Sequence, residues 1–260
     1  MGHTRIGRLN RSMAWKEVIG LFCAGADFDQ IAQATLKAAS EGFNEKRLSE
    51  DAGYQKAVWL LVQMGIAGQS GDFIKHMCNC GIELSNNPSK QELNARLAAA
   101  VEDAAWDGGM KSDLAEFARQ ALSNAVTSAV EKNKEGELPN MPHKEDIDVF
   151  RKFGSKADFA HINQVFASEI MSRGLLSYLT QLLPNMVGRE NRVLSTHELN
   201  HAYNSIEQHC YETGIVQKDY ANEWMGKHQY KLNDMSDARI VKHGNFLVKK
   251  MIKALKYGKE

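Results

Sequence analysis

The chain has 260 residues, 43% hydrophobic and 25% charged, with 32 basic side chains against 32 acidic ones. These are ordinary globular values, and they exclude a disordered or collagen-like chain and any global electrostatic pull toward nucleic acid. Four cysteines are too few for a disulfide scaffold, and no apolar run approaches the roughly 18 residues needed to cross a bilayer. The expectation is a soluble, cytoplasmic chain with reduced thiols and no membrane contact.

In chain order, "HTRIGRLNRS" sets Arg5, Arg8 and Arg11 three residues apart, with no helix signal before Ser12. It reads as an arm reaching a phosphate backbone or an acidic partner surface, or as a terminus docked over the first helix. Apolar residues at helical spacing then predict a helix from Met13 to about Cys23, and a second opened by Asp27 or Asp29. Residues 53–68 are apolar nearly all round, which predicts a buried central helix. Ser70 is the expected cap of the next helix, which Gly81 stops. Ser89-x-x-Glu92 is a capping box for a helix ending at Gly108 and Gly109. Ser112 opens an alanine-rich helix reaching about Lys132.

Gly136, Pro139 and Pro142 mark a linker within 132–146. Beyond it, Ser155-x-x-Asp158 opens a helix to about Ser172, and a separate apolar helix over 174–188 stops before Pro184. Three more run from Ser195 to about Thr213, Gln217 to about His228, and Ser236 to about Lys256. No segment alternates with the period of a strand. The prediction is all-α, roughly ten helices, as one large bundle or two packed subdomains, 1–133 and 145–260, joined by a linker at 134–144.

Charge is segregated. Residues 239–259 carry Arg239, Lys242, Lys249, Lys250, Lys253, Lys256 and Lys259 with no acid. With the N-terminal arginines, Lys249, Lys250 and Lys253 form a candidate contact surface for DNA, RNA or a protein partner. The ordinary alternative is a solvated helix face with lysines in its last turns.

"ENRVLSTHELNHAYNSIEQHC" (190–210) looks most like chemistry. His197-Glu198-Leu199-Asn200-His201 spells H-E-x-x-H, in which two histidines one turn apart bind zinc and the glutamate activates water. Glu223 would be the third ligand, and zinc is the sole cofactor any reading calls for. Arg192 and His197 also fit the R-x4-H spacing of the all-helical HEPN ribonucleases, one residue holding the scissile phosphate and the other doing acid–base work. Against the zinc reading, the same letters contain Ser195-x-x-Glu198, a capping box that folds the glutamate back onto the helix start. Short patterns of this kind recur by chance.

His76, Cys78 and Cys80 lack a second ligand pair, so the cysteines read as small buried hydrophobes. His209 and Cys210 are sequence neighbours that a helix points about 100° apart. Trp15, Trp59, Trp106 and Trp224 read as core anchors.

"SYLTQLLPNMVG" (177–188) and "EQHCYETGIVQKDYANEWMGKH" (207–228) resemble a group of all-helical bacterial accessory proteins. Their genes sit in multi-gene clusters, some resembling anti-phage defence islands. The resemblance implies a subunit that works with neighbouring proteins, and it draws weight to a polar set of His209, Cys210, Glu223 and Trp224. The sequence thus leads to a non-catalytic helical adaptor of a multiprotein complex, with a HEPN-like endoribonuclease (Arg192, His197) as the alternative and a zinc peptidase third.

Overall fold

Side-chain caps fix where the helices begin. The computed structural model describes residues 13–24, 26, 28–39, 45–109, 112–135, 145–182, 196–228 and 236–257. They form α1 (Met13–Ala24), α2 (Phe28–Ala39), α3 (Glu45–Glu50), α4 (Ala52–Gln69), α5 (Phe73–Asn79), α6 (Lys90–Asp107) and α7 (Asp113–Lys134). After these come α8 (Asp146–Phe150), a 3-10 turn (Arg151–Gly154), α9 (Lys156–Leu182), α10 (Thr196–Thr213), α11 (Ile215–His228) and α12 (Asp237–Tyr257). The fold is all-α, as the sequence predicts, with no β-strand among the described residues.

The carboxylate of Asp51 accepts from Tyr54 N at 2.8 Å and starts α4, and its other oxygen accepts from the Ser112 hydroxyl. Ser112 in turn accepts from Ala115 N at 2.9 Å, so the starts of α4 and α7 are tied together. Ser89 caps α6 by accepting from Glu92 N at 3.1 Å. The Glu92 carboxylate reaches beyond its own capping box and also accepts from Ser85 N (2.6 Å) and Ser85 Oγ (2.7 Å). Ser155 accepts from Asp158 N at 3.1 Å at the start of α9. Each such cap satisfies an amide that the helix leaves unpaired, a contribution of about 1 kcal/mol.

Two expected boundaries move. Ser70 ends α4 rather than starting α5: its N–H donates to Ile66 O and Ala67 O, Gly71 turns the chain at φ +78°, and Asp72 caps α5. Likewise the two helices expected over 155–188 are one, since α9 runs unbroken through Gly174 to Leu182. A helical glycine costs only about 1 kcal/mol, and Leu175 beside it is fully buried.

α4 is buried round most of its circumference, as its composition predicts. It touches the 3-10 turn backbone to backbone: a Cβ on Gly68 would lie 2.3 Å from Gly154 N. Gln69 Nε2 donates to Gly154 O at 2.9 Å beside that contact. Phe73, Phe150 and Phe153 pack on one another, with ring centroids 5.5–6.3 Å apart. On α7, Ala115, Ala118, Ala121, Ala125 and Ala129 are buried, and such small residues let neighbouring helices approach closely.

α9 is the second axis, lying against α7, α10 and α11. Two of its buried polar side chains are partnered across to α7. Asp158 accepts from Lys132 Nζ (3.3 Å) and Asn133 Nδ2 (3.1 Å), and the His161 ring lies 3.0 Å from Ser128 Oγ. One hydrophobic cluster includes Tyr54, Leu61 and Leu122 as well as Phe159, Met225 and Val248, so the core is continuous across the expected linker at 134–144.

Candidate functional site

α12 packs one face and exposes the other. Inward, Ile240, His243, Gly244, Leu247, Val248 and Met251 are buried. α4 holds this face in three places. Trp59 Nε1 donates to Asp237 Oδ1 at 2.6 Å, Tyr54 Oη donates to Gly244 O at 3.0 Å, and Val58 fills the space a Cβ on Gly244 would need.

His243 is the most unusual group here. It is 2% exposed, its ring lies 3.1 Å from Asn163 Oδ1 through Nε2, and Nδ1 has no hydrogen-bond partner among the described residues. Asn163 donates its amide N–H to Phe159 O at 2.7 Å, leaving its oxygen as acceptor, so Nε2 of His243 carries the hydrogen. Burial, with the nearby His228 adding repulsion, pulls the imidazole down to a pKa of about 3. It is a neutral ring used as an aromatic: Trp224 lies 4.1 Å from it centroid to centroid, Tyr220 5.4 Å and Phe159 6.1 Å. Tyr220 then meets Phe246 at 4.8 Å. A column of rings therefore runs from the core (Phe159, Trp224, His243) through Tyr220 to Phe246, which is 41% exposed.

Outward, Arg239, Lys242, Phe246, Lys249 and Lys253 are all exposed. They recur in steps of three and four residues, so they form one stripe along the helix. At 1.5 Å per residue the stripe is about 21 Å long. It contains no acid and has an aromatic ring at its centre. Lys250 flanks it, with Nζ 5.0 Å over the Tyr220 ring and 5.7 Å over that of Phe246. Lys249 and Lys253 are exposed on this face, and Lys250 lies half-buried at its flank. Arg5, Arg8 and Arg11 lie outside the described residues.

The catalytic patterns are distributed as follows. Arg192 and the expected cap Ser195 lie outside the described residues. His197 and His201 are exposed on α10, with Ser205 Oγ 3.4 Å from His201 Nδ1. Glu223 is exposed on α11 and pairs with Lys227 at 3.6 Å. Among the described residues no three His, Cys, Asp or Glu side chains form a group able to hold a metal, so His197, His201 and Glu223 are not gathered into one.

Of the polar set, Glu223 is exposed while Trp224 is buried in the ring column. Cys210 is wholly buried, and burial together with the carboxylates of Glu207 and Glu169 pushes its thiol far up, so it stays protonated. His209, half-buried beside it, therefore has no thiolate to pair with. A cavity of about 350 Å³ between α9 and α10 is lined by Ser168, Glu169, Ser172 and Glu207.

Two further expectations are corrected. Cys78 is exposed and Cys80 half-buried, so neither is a core hydrophobe. α5 is short and ends at Asn79 with Cys80 as its C-cap, leaving its last turn at the surface, where Cys80 Sγ and His76 Nε2 both lie against Gln63 Oε1, at 3.6 and 2.8 Å. Trp106, at 45% exposure near the end of α6, is not a core anchor. The side chain of Trp15 lies outside the described residues.

No protein-family model matches the chain, and neither curated proteins nor solved structures yield a match. Sequence reading missed Phe246 and Tyr220. The spacing Arg239–Lys242–Phe246–Lys249–Lys253 was the available signal, but only the packing of α11 on α12 brings Tyr220 beside it.

Proposed function

We propose that the chain is a non-catalytic, all-helical accessory subunit of a multiprotein complex, and that it binds nucleic acid through the outer face of α12. The observation that carries this reading is the stripe Arg239–Lys242–Phe246–Lys249–Lys253: four cations on one exposed helix face, with no acid among them. Such a face attracts a phosphate backbone through counterion release even on a chain of zero net charge, because the field is local. The inner face of α12, fixed on α4 and against the ring column, holds the stripe rigid, which lowers the entropy lost on binding. The resemblance of 177–188 and 207–228 to accessory proteins of multi-gene clusters supports work alongside a neighbouring protein, and a defence system is the setting it suggests.

The test is direct. Fluorescence anisotropy with a labelled 15-nucleotide oligomer at low salt is expected to give saturable binding. The double variant Lys242→Glu/Lys249→Glu is expected to weaken it at least tenfold, with an unchanged circular dichroism spectrum. Equal affinity for both proteins would refute the α12 interface.

A further inference from the structure

Resting on the α12 reading, we infer that its ligand is single-stranded nucleic acid, with an unstacked base seated on Phe246 at the end of the ring column.

A run of cations alone would suit any polyanion, duplex included. The centre of this stripe is different. Phe246 sits between Lys242 and Lys249, 41% exposed, and is backed by Tyr220 at 4.8 Å, which lies against the buried His243 at 5.4 Å. An exposed ring held from behind by other rings has little freedom to turn inward, so it stays at the surface. In a duplex the bases stack on each other, and a protein face lying along the backbone meets phosphates and sugars. A phenyl ring there would desolvate phosphate with nothing in return. In a single strand, bases can turn out and stack on an aromatic side chain while lysines on either side hold the flanking phosphates. Lys250 fits the same arrangement. Its ammonium sits over the Tyr220 and Phe246 rings, and its flexible stem lets it swing to a phosphate when a base takes that place. The length of the stripe agrees with the short sites, roughly 4–16 nucleotides, of single-strand binding folds.

Nothing in the stripe distinguishes ribose from deoxyribose, so the shared ligand is an unpaired strand. Comparing oligodeoxythymidine with oligouridine separates the two sources.

The experiment uses the full chain and four labelled 15-mers: oligodeoxythymidine, oligouridine, an abasic deoxyribose strand with the same phosphates, and a mixed-sequence DNA duplex. Wild-type protein is expected to bind at least one base-bearing single strand about tenfold or more tighter than the abasic strand, and also tighter than the duplex. Phe246→Ala is expected to bring base-bearing and abasic strands to the same affinity without abolishing either, and Phe246→Trp to restore the difference. Equal wild-type affinity for base-bearing and abasic strands, or preference for the duplex, would overturn the stacking inference while leaving the charged interface standing. Loss of all binding at low salt would overturn the interface itself. A Phe246→Ala variant that still prefers bases would place stacking elsewhere and also overturn the inference.

Discussion

Helices α4 and α12 lie against each other and are similar in length, eighteen and twenty-one residues, yet they are built differently. α4 has one charged side chain, Lys56, and most of its positions are buried; its glycines are contact points where neighbours touch the backbone. α12 buries one face and covers the other with cations. One helix organises the core, and the other carries what the core positions. The difference teaches where changes should hurt. Substitutions in α4 should act on stability, and substitutions on the outer face of α12 should act on binding alone.

The largest effect is expected at Gly68. A methyl group there would sit 2.3 Å from the Gly154 backbone, which cannot rotate away as a side chain could. Gly68→Ala should cost about 1–3 kcal/mol or more in urea denaturation, the range for forced overpacking. Gly244→Ala comes next, because its new Cβ would meet Val58 at 2.2 Å, on the seam between the two helices. Here the obstacle is a side chain, so adding Val58→Ala should recover part of the loss. A double-mutant cycle that finds the two changes additive would deny that α12 is seated on α4 at this point.

Acid provides a third probe. His243 is neutral in the folded protein, its pKa pulled down to about 3 chiefly by burial. An unfolded histidine takes up its proton near pH 6.5. The unfolded state therefore binds more protons between those values, and stability should fall as pH drops from about 6.5 toward 3. Burial lowers His76 and His161 in the same direction. His243→Leu should thus flatten the dependence of the urea midpoint on pH between 7.5 and 5 without abolishing it. A variant with the wild-type slope would show that His243 is already solvated.

A smaller effect is expected from Tyr54→Phe, which removes the hydroxyl donated to Gly244 O and leaves that carbonyl buried; about 1 kcal/mol should be lost. The outer face closes the series. Lys242→Ala and Lys249→Ala should each change stability by no more than about 0.5 kcal/mol, as is usual for surface positions.

Much of this architecture was legible in the sequence because helices announce themselves locally. Ser89, Ser112 and Ser155 fall where the caps form, and the apolar run at 53–68 is the buried helix it suggests. What failed was equally local in appearance. Gly174 reads as a breaker, yet α9 continues through it, since burial of its neighbours outweighs a single glycine. Ser70 reads as a start, but Gly71 and Asp72 shift the start by two residues. The candidate site was half legible. Its lysines follow from charge counting on 239–259, but the ring column depends on Phe159, Trp224, Tyr220 and His243, which come from three helices. No pattern within one segment records that meeting. In the segment that looked most chemical, 190–210, the described residues place His197 and His201 at the surface and Cys210 in the core with a protonated thiol.

The most direct test of the α12 interface is the salt dependence of oligonucleotide affinity, measured for wild type and for Lys242→Glu/Lys249→Glu. Counterion release predicts that log affinity falls linearly with log salt, and the variant should start weaker and show a distinctly shallower slope. An affinity indifferent to salt, or a variant with the wild-type slope, would contradict the account.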